Sequence, residues 1–177
     1  DSSDRHWLRV GRPSVVAPPQ DVSAAAPIDP NLPEGSARAN PAPIGASVST
    51  ATGLSIAVLS VDPDARLTVQ AENQFNDRPP TGFRDVIVRL RVQNVAGSAS
   101  TETKVSDSDF KFVGSLDVLY ATFEQSCGVI PDELDANLFL AGVVEGNVCI
   151  QIPVAESDLI IIYEPLFSFD SSDRRWL

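Results

Sequence analysis

The sequence predicts an all-β chain: an antiparallel β-sandwich over residues 44–177, preceded by an extended Pro-rich N-terminal arm over residues 1–43. Three observations predict it. Pro13, Pro18, Pro19, Pro27, Pro30, Pro33, Pro41 and Pro43 fall within one Ala/Ser/Asp-rich stretch. Chain so short of backbone donors sustains neither a helix nor a ladder and favours polyproline II and extended turns. From Ile44 the texture changes to short apolar runs bounded by turn residues, the pattern of strands in an all-β domain. The clearest run, Gly82 to Asn94, sets Val86, Val88, Leu90 and Val92 against Ile87, Arg89, Arg91 and Gln93, so one face enters a core and the other meets water.

Taken in order, Leu54 to Val61 reads as the first strand, with Leu54, Ile56 and Val58 on one face, and Asp62-Pro-Asp-Ala-Arg66 turns it. Leu67 to Ala71 is expected to continue that edge, before a polar loop from Glu72 to Thr81. Gly82 to Asn94 is then a central, half-solvated antiparallel strand. Val95 to Asp107 reads as a Ser/Thr/Gly-rich connection, Phe110 to Phe112 as a short strand with both rings on one side, and Leu119, Ala121 and Phe123 as an alternating run. Pro131 to Ala136 is the one place where a helical turn is expected. Val144 to Pro153 places Val148, Ile150 and Ile152 inward, and Leu159 to Tyr163 is apolar on both faces, as a covered strand requires. Phe167 and Phe169 lead to the C-terminal segment, a last strand or an exit. About seven such strands make a two-layer sandwich, and at this size roughly two thirds of the unfolded surface can be buried.

One octapeptide occurs twice. Asp-Ser-Ser-Asp-Arg-His-Trp-Leu spans Asp1 to Leu8 and Asp-Ser-Ser-Asp-Arg-Arg-Trp-Leu spans Asp170 to Leu177, differing only at His6 against Arg175. A Trp-containing octapeptide does not recur through composition bias, so a repeating unit is the simplest origin. Both tryptophans of the chain, Trp7 and Trp176, lie in these copies, and Trp is the most favoured interface anchor. The arm is therefore expected to dock on a neighbour, with Trp7, Leu8, Val10, Val15, Val16, Trp176 and Leu177 as the assembly interface.

Charge narrows the partners. The net charge is -11 and the isoelectric point about 4.3, while Lys104 and Lys111 are the only lysines. Nucleic acid and anionic membrane surfaces need clustered cations and are disfavoured. No run of about 18 apolar residues exists to span a bilayer. Asp1 opens in polar sequence without a signal-peptide pattern, which leaves a mature secreted chain, an excised segment or a cytosolic protein. Two cysteines placed as a plausible pair and a Ser/Thr/Pro/Ala-rich, Lys-poor, Met-free composition favour the first two. No Asn-x-Ser/Thr acceptor occurs.

Asn40 to Gly45, the Leu54 to Val61 and Val86 to Asn94 strands, Gly142-x-x-x-Gly-Asn-Val-Cys-Ile-Gln-Ile-Pro153 and Leu159 to Tyr163 together resemble the DUF4352-type immunoglobulin-like domains of bacterial extracellular proteins. The resemblance covers roughly Asn40 to Phe169, with the glycine-to-proline strand before the final apolar strand as its most specific part. The two cysteines look like a variant found in Chloroflexota. The resemblance implies an exported or surface-displayed immunoglobulin-like antiparallel β-sandwich with no established chemistry.

Cys127 and Cys149 are open to three readings: a disulfide, a metal pair or two free thiols. Two thiolates make a poor zinc site, which needs four ligands, and His6, the only histidine, is remote in sequence. A disulfide is favoured, across an outer sheet face, because Cys149 alternates with the inward Val148 and Ile150. The acidic clusters Asp62/Asp64, Asp107/Asp109 and Asp132/Glu133/Asp135 match no EF-hand loop and read as solvated turns. No Gly-x-Ser-x-Gly elbow is present. The expectation is a non-catalytic building block, without cofactor or metal, of an extracellular filament or tandem-domain surface protein. Its partners would be copies of itself or adjacent homologous domains. A ligand-binding or adhesion module on a Pro-rich stalk is the alternative.

Overall fold

The computed structural model describes residues 32–96, 102–166 and 173–177. It is an all-β sandwich. One sheet runs β1 (Ser47–Ser49), β2 (Leu54–Asp62), β3 (Phe83–Asn94) and, beyond these, the long strand Val143–Pro153. In chain order the strands between are β4 (Thr103–Ser106), β5 (Phe110–Val113), β6 (Leu119–Ala121) and β7 (Asp135–Leu138), so Val143–Pro153 is β8. The second sheet has the order β10 (Arg175–Trp176), β9 (Ile160–Tyr163), β5, β6, and β4 pairs with β7 at one end. Every pairing between these strands is antiparallel.

The alternation of β3 sets the core. Val86, Val88, Leu90 and Val92 are buried, and across the ladder they face Ile150, Val148, Gly146 and Val144. Leu54, Ile56 and Val58 of β2 extend the same face, and Phe110, Phe112, Ile161 and Tyr163 close it from the other sheet. The Phe110 and Tyr163 rings meet at 5.5 Å, tilted by 59°, within the favoured edge-to-face range. Gly146 has no side chain for a packing reason: a Cβ there would lie 2.9 Å from Leu134 Cα, and Leu134 fills that space in the core.

The opposite face of β3 and β8 carries a second apolar cluster. Cys127 and Cys149 form a disulfide with Cα atoms 5.9 Å apart, packed with Ile87, Ala65, Val69 and Ile130. The bridge lies on the outer face as its register demands, yet that face is covered and both cysteines are buried.

The cover is α1 (Arg66–Glu72), which replaces the edge strand expected over Leu67 to Ala71. Ala65 and Val69, four residues apart, share one side of the turn, and both are fully buried. The helical turn expected over Pro131 to Ala136 is also absent. Asn147 takes the groups that such a turn would use: its N–H bonds Asp132 O (2.7 Å), its carbonyl accepts from Leu134 N–H (2.9 Å), and its amide bonds Pro131 O (2.7 Å). The chain is thereby held extended into β7. Strand β4 lies inside the expected Val95 to Asp107 connection, with Val105 as its buried residue. In β6 the inward ring is Tyr120, while Leu119 and Phe123 are exposed. Phe167 and Phe169 lie outside the described residues.

The disulfide closes a loop over a sequence separation of 22. Replacing both cysteines by alanine is expected to lower unfolding stability by about 3 kcal/mol on the chain-entropy relation. Urea denaturation of the two oxidised proteins measures it as a lowered midpoint.

Candidate assembly interface

The C-terminal octapeptide copy ends inside the sandwich. Arg175 and Trp176 pair with Tyr163 and Ile162, Leu177 N–H donates to Ile161 O (2.7 Å), and Ile161 N–H donates to Leu177 O (2.9 Å). On its other flank Trp176 N–H donates to Gly35 O (2.9 Å), and Ala42 N–H donates to Trp176 O (3.0 Å). Strand β10 therefore lies in a slot with β9 as one wall and residues 35–42 as the other. Gly35, at φ +74°, is where the wall approaches closest: a Cβ there would overlap the Val48 side chain and sit 3.0 Å from Trp176 O. That conformation and that clearance both select glycine.

Side chains hold the strand in register. Leu177 is 7% exposed and belongs to the main core with Ala42 and Val48. Arg174 stacks over the Trp176 ring at 5.8 Å and pairs with Glu164, which also accepts from Lys111 Nζ at 2.6 Å. Burial pushes the Glu164 carboxyl up, but Lys111 and Arg174 together hold it below the usual carboxylate range. Arg175 Nε donates to Ser49 O (2.6 Å), tying β10 to the other sheet.

Of the expected interface residues, two are among those described. Leu177 is buried in the main core, in one cluster with Ala42 and Val48. Trp176 is half-buried on the same domain. Ahead of Ile44, Gly35 and Ala42 bond to β10 and Ala42 is buried. Trp7, Leu8, Val10, Val15 and Val16 lie outside the described residues. Gly35, Ala42, Ser49 and Glu164 complete the slot and were not singled out by sequence. Their only signal was that whatever fits one octapeptide must fit its copy.

Two buried acids are the other titratable groups of note. Glu156 is 1% exposed; Oε1 accepts from Leu116 N–H (2.8 Å) and Ser115 Oγ (3.2 Å), and Oε2 from Tyr120 Oη (2.8 Å). Burial alone raises its carboxyl, yet the three donors outweigh burial and leave it below the usual range. Tyr120 is pushed up to about 12, by burial first and then by the Glu156 carboxylate. With every oxygen engaged, Glu156 clamps the 114–120 turn to the turn after β8. A Cβ on Gly114 would collide with it. Asp85, also 1% exposed, has neither oxygen within hydrogen-bonding geometry of a described partner. Burial raises its carboxyl; its cross-strand neighbour Gln151 offsets part of this, and Asp64 adds to it.

Among the described residues no three His, Cys, Asp or Glu side chains converge to hold a metal ion. Among them no helix is long and apolar enough to cross a membrane. A cavity of about 650 Å³ is lined by Thr52, Lys104, Ser106, Asp109, Pro165, Leu166 and Asp173.

No protein-family model matches this chain, and no curated protein sequence does. Two solved structures from Bacillus subtilis match part of this chain. For ycdA, a proposed lipoprotein, the TM-score is 0.49 at 12% identity over 74% of this chain, which spans only 37% of that protein. For the yjhA protein the TM-score is 0.43 at 12% identity, over 73% of this chain and 85% of that one.

The two acids respond to pH with opposite sign. Glu156, lowered by folding, contributes stability that is present above its unfolded value of 4.5 and is lost as pH falls through its folded value. Glu156→Gln is expected to cost about 1–3 kcal/mol at pH 7, by setting an amide donor against donors, and to flatten the acid limb of stability against pH. Asp85, raised by folding, is most favourable to the fold when protonated, below its unfolded 3.8, and that contribution is lost as pH rises through its folded value. Asp85→Asn is therefore expected to raise the thermal midpoint at pH 7 and to leave it nearly unchanged at pH 3. Thermal unfolding across pH 3–7 measures both.

Proposed function

We propose that this chain is a non-catalytic structural building block of an extracellular filament or tandem-domain surface protein, joined head-to-tail through the N-terminal arm. The observation that carries the reading is where the C-terminal octapeptide ends: Arg175–Trp176 pair with β9 and Leu177 enters the core. A near-identical octapeptide at the other end of the chain, separated from the described domain by residues 9–31, is then a strand of the same kind suited to a neighbouring unit. A contact of that form is heterologous. Repeated between chains it propagates as an open assembly, and repeated along one chain it joins tandem domains.

The disulfide supports an oxidising, extracellular setting, because such bonds persist outside the cytosol and are rare within it. The net charge of -11 opposes nucleic-acid partners. The chemistry of the buried acids supports a non-catalytic reading: Glu156 is saturated by three donors and sealed from solvent, and the only histidine is on the arm.

Sedimentation velocity over a concentration series tests the reading. The full chain is expected to gain weight-average mass with concentration, whereas deletion of Asp1 to Pro18 leaves a monomer with an unchanged thermal midpoint. A full chain that stays monomeric at millimolar concentration contradicts assembly between chains.

A further inference from the structure

We propose that the β10 slot is a recognition site for Asp1–Leu8: the N-terminal octapeptide of one copy displaces Arg175–Leu177 of the next and takes their place beside β9. The inference rests on the head-to-tail reading and specifies its contact as strand replacement in a defined slot.

The contacts that hold β10 transfer almost completely. The bonds to Ile161, Gly35 and Ala42 are made by main-chain groups and are indifferent to side chain, so Trp7 and Leu8 can make them all. The side-chain contacts belong to residues that the two copies share. Leu8 corresponds to the core residue Leu177, Arg5 to the Arg174 that pairs with Glu164, and Trp7 to the Trp176 beneath that guanidinium. Seven of the eight positions are identical. The slot selects this segment on three grounds at once: a leucine of core size, an arginine opposite Glu164, and a backbone slender enough to lie between β9 and Gly35.

The single difference sets the direction of the competition. Arg175 donates from Nε to Ser49 O, a contact with the other sheet, and from Nη1 to Arg174 O, whereas a neutral His6 imidazole carries a single N–H donor and cannot make both bonds. The C-terminal copy is also tethered by only residues 164–174 after β9, which gives it a high effective concentration at the slot. It therefore holds the slot in the isolated domain, and the N-terminal copy enters when neighbours are concentrated. Reach is no obstacle. The 23 residues 9–31, extended at roughly 3 Å each, span about 70 Å, more than the roughly 30–40 Å diameter of a domain of this size.

The test uses the full chain in four forms: wild type, Leu177→Asp, Leu177→Asp with Leu8→Asp, and His6→Arg. Each is measured by sedimentation velocity and by thermal unfolding. Leu177→Asp weakens the resident strand and is expected to tighten association on the order of tenfold, because the apparent affinity of a slot rises with the fraction of time it is vacant. Adding Leu8→Asp returns the protein to monomer and lowers its thermal midpoint. His6→Arg, which leaves the domain's own core untouched, tightens association relative to wild type. If Leu177→Asp does not fold, Leu177→Ala with and without Leu8→Asp gives the same comparison.

A folded Leu177→Asp monomer whose thermal midpoint still falls on Leu8→Asp supports recognition of the octapeptide by the slot but places it within one chain, which overturns the head-to-tail reading. Indifference of the Leu177 variants to Leu8, in mass and in thermal midpoint, overturns the slot assignment. Wild-type association that persists in that case leaves the head-to-tail reading standing on another contact.

Discussion

Strand β3 is the constraint on which the rest of the molecule depends. It is paired along nearly its whole length on both sides, to β2 and to β8, so its side chains have two faces and no free edge. A period of two then forces the outcome. Val86, Val88, Leu90 and Val92 point one way and create the floor of the core; Asp85, Ile87 and Arg89 point the other way. The first face needs a second sheet to cover it, and β5 and β9 supply one with Phe110, Phe112, Ile161 and Tyr163. The second face is apolar around Ile87, where α1 and the disulfide-tied loop roof it, and it is covered at Asp85 as well. The bridge thus anchors a short helix and a loop that would otherwise have little to bury.

The second sheet is less self-sufficient. Its strands are short, and its edge at β9 is completed by two residues of β10 followed by Leu177. An edge strand of that length cannot hold itself by ladder bonds alone, and the molecule supplements it with a second wall at residues 35–42 and with the Arg174–Glu164–Lys111 ion cluster. Most of these contacts are backbone bonds or belong to residues that the N-terminal octapeptide also carries. In the proposed head-to-tail contact this closure would also serve as the joint, because the slot takes one leucine, one arginine and a strand's backbone.

The parts of this fold that were legible in the sequence are those with strong periodicity. The alternation from Val86 to Val92, the inward set of Val148, Ile150 and Ile152, and the paired rings of Phe110 and Phe112 each predicted a face that the structure buries. The two cysteines are legible as a pair because no further metal ligands accompany them, and the outer phase of Cys149 in β8 places their bridge on the outer face. Other elements carried too little signal. Helix α1 has seven residues and one buried side chain, so its Ala65 to Val69 spacing was lost beside the apolar alternation of Leu67, Val69 and Ala71. Strand β4 buries only Val105 and is otherwise polar, which hid it in a Ser/Thr-rich connection. Pro131 to Ala136 has the composition of a helical turn, but its backbone is set by Asn147, a residue distant in sequence. Glu156 could not be assigned for the same reason, since its donors lie about 40 residues away. In the candidate interface, the duplicated octapeptide is legible as a repeat, whereas the burial of Leu177 in the core depends on β9 and residues 35–42, which lie far from it in sequence.

The most direct measurement of this account is an intermolecular nuclear Overhauser experiment on a concentrated mixture of two preparations of the full chain, one with leucine methyl groups labelled and one deuterated except at isoleucine and tyrosine. The account predicts cross-peaks from the Leu8 methyls of the labelled copy to Ile161 and Tyr163 of the other, growing with concentration. Leu8 methyls that give no contact with Ile161 or Tyr163 at any concentration, while Leu177 alone contacts them within its own chain, would contradict it.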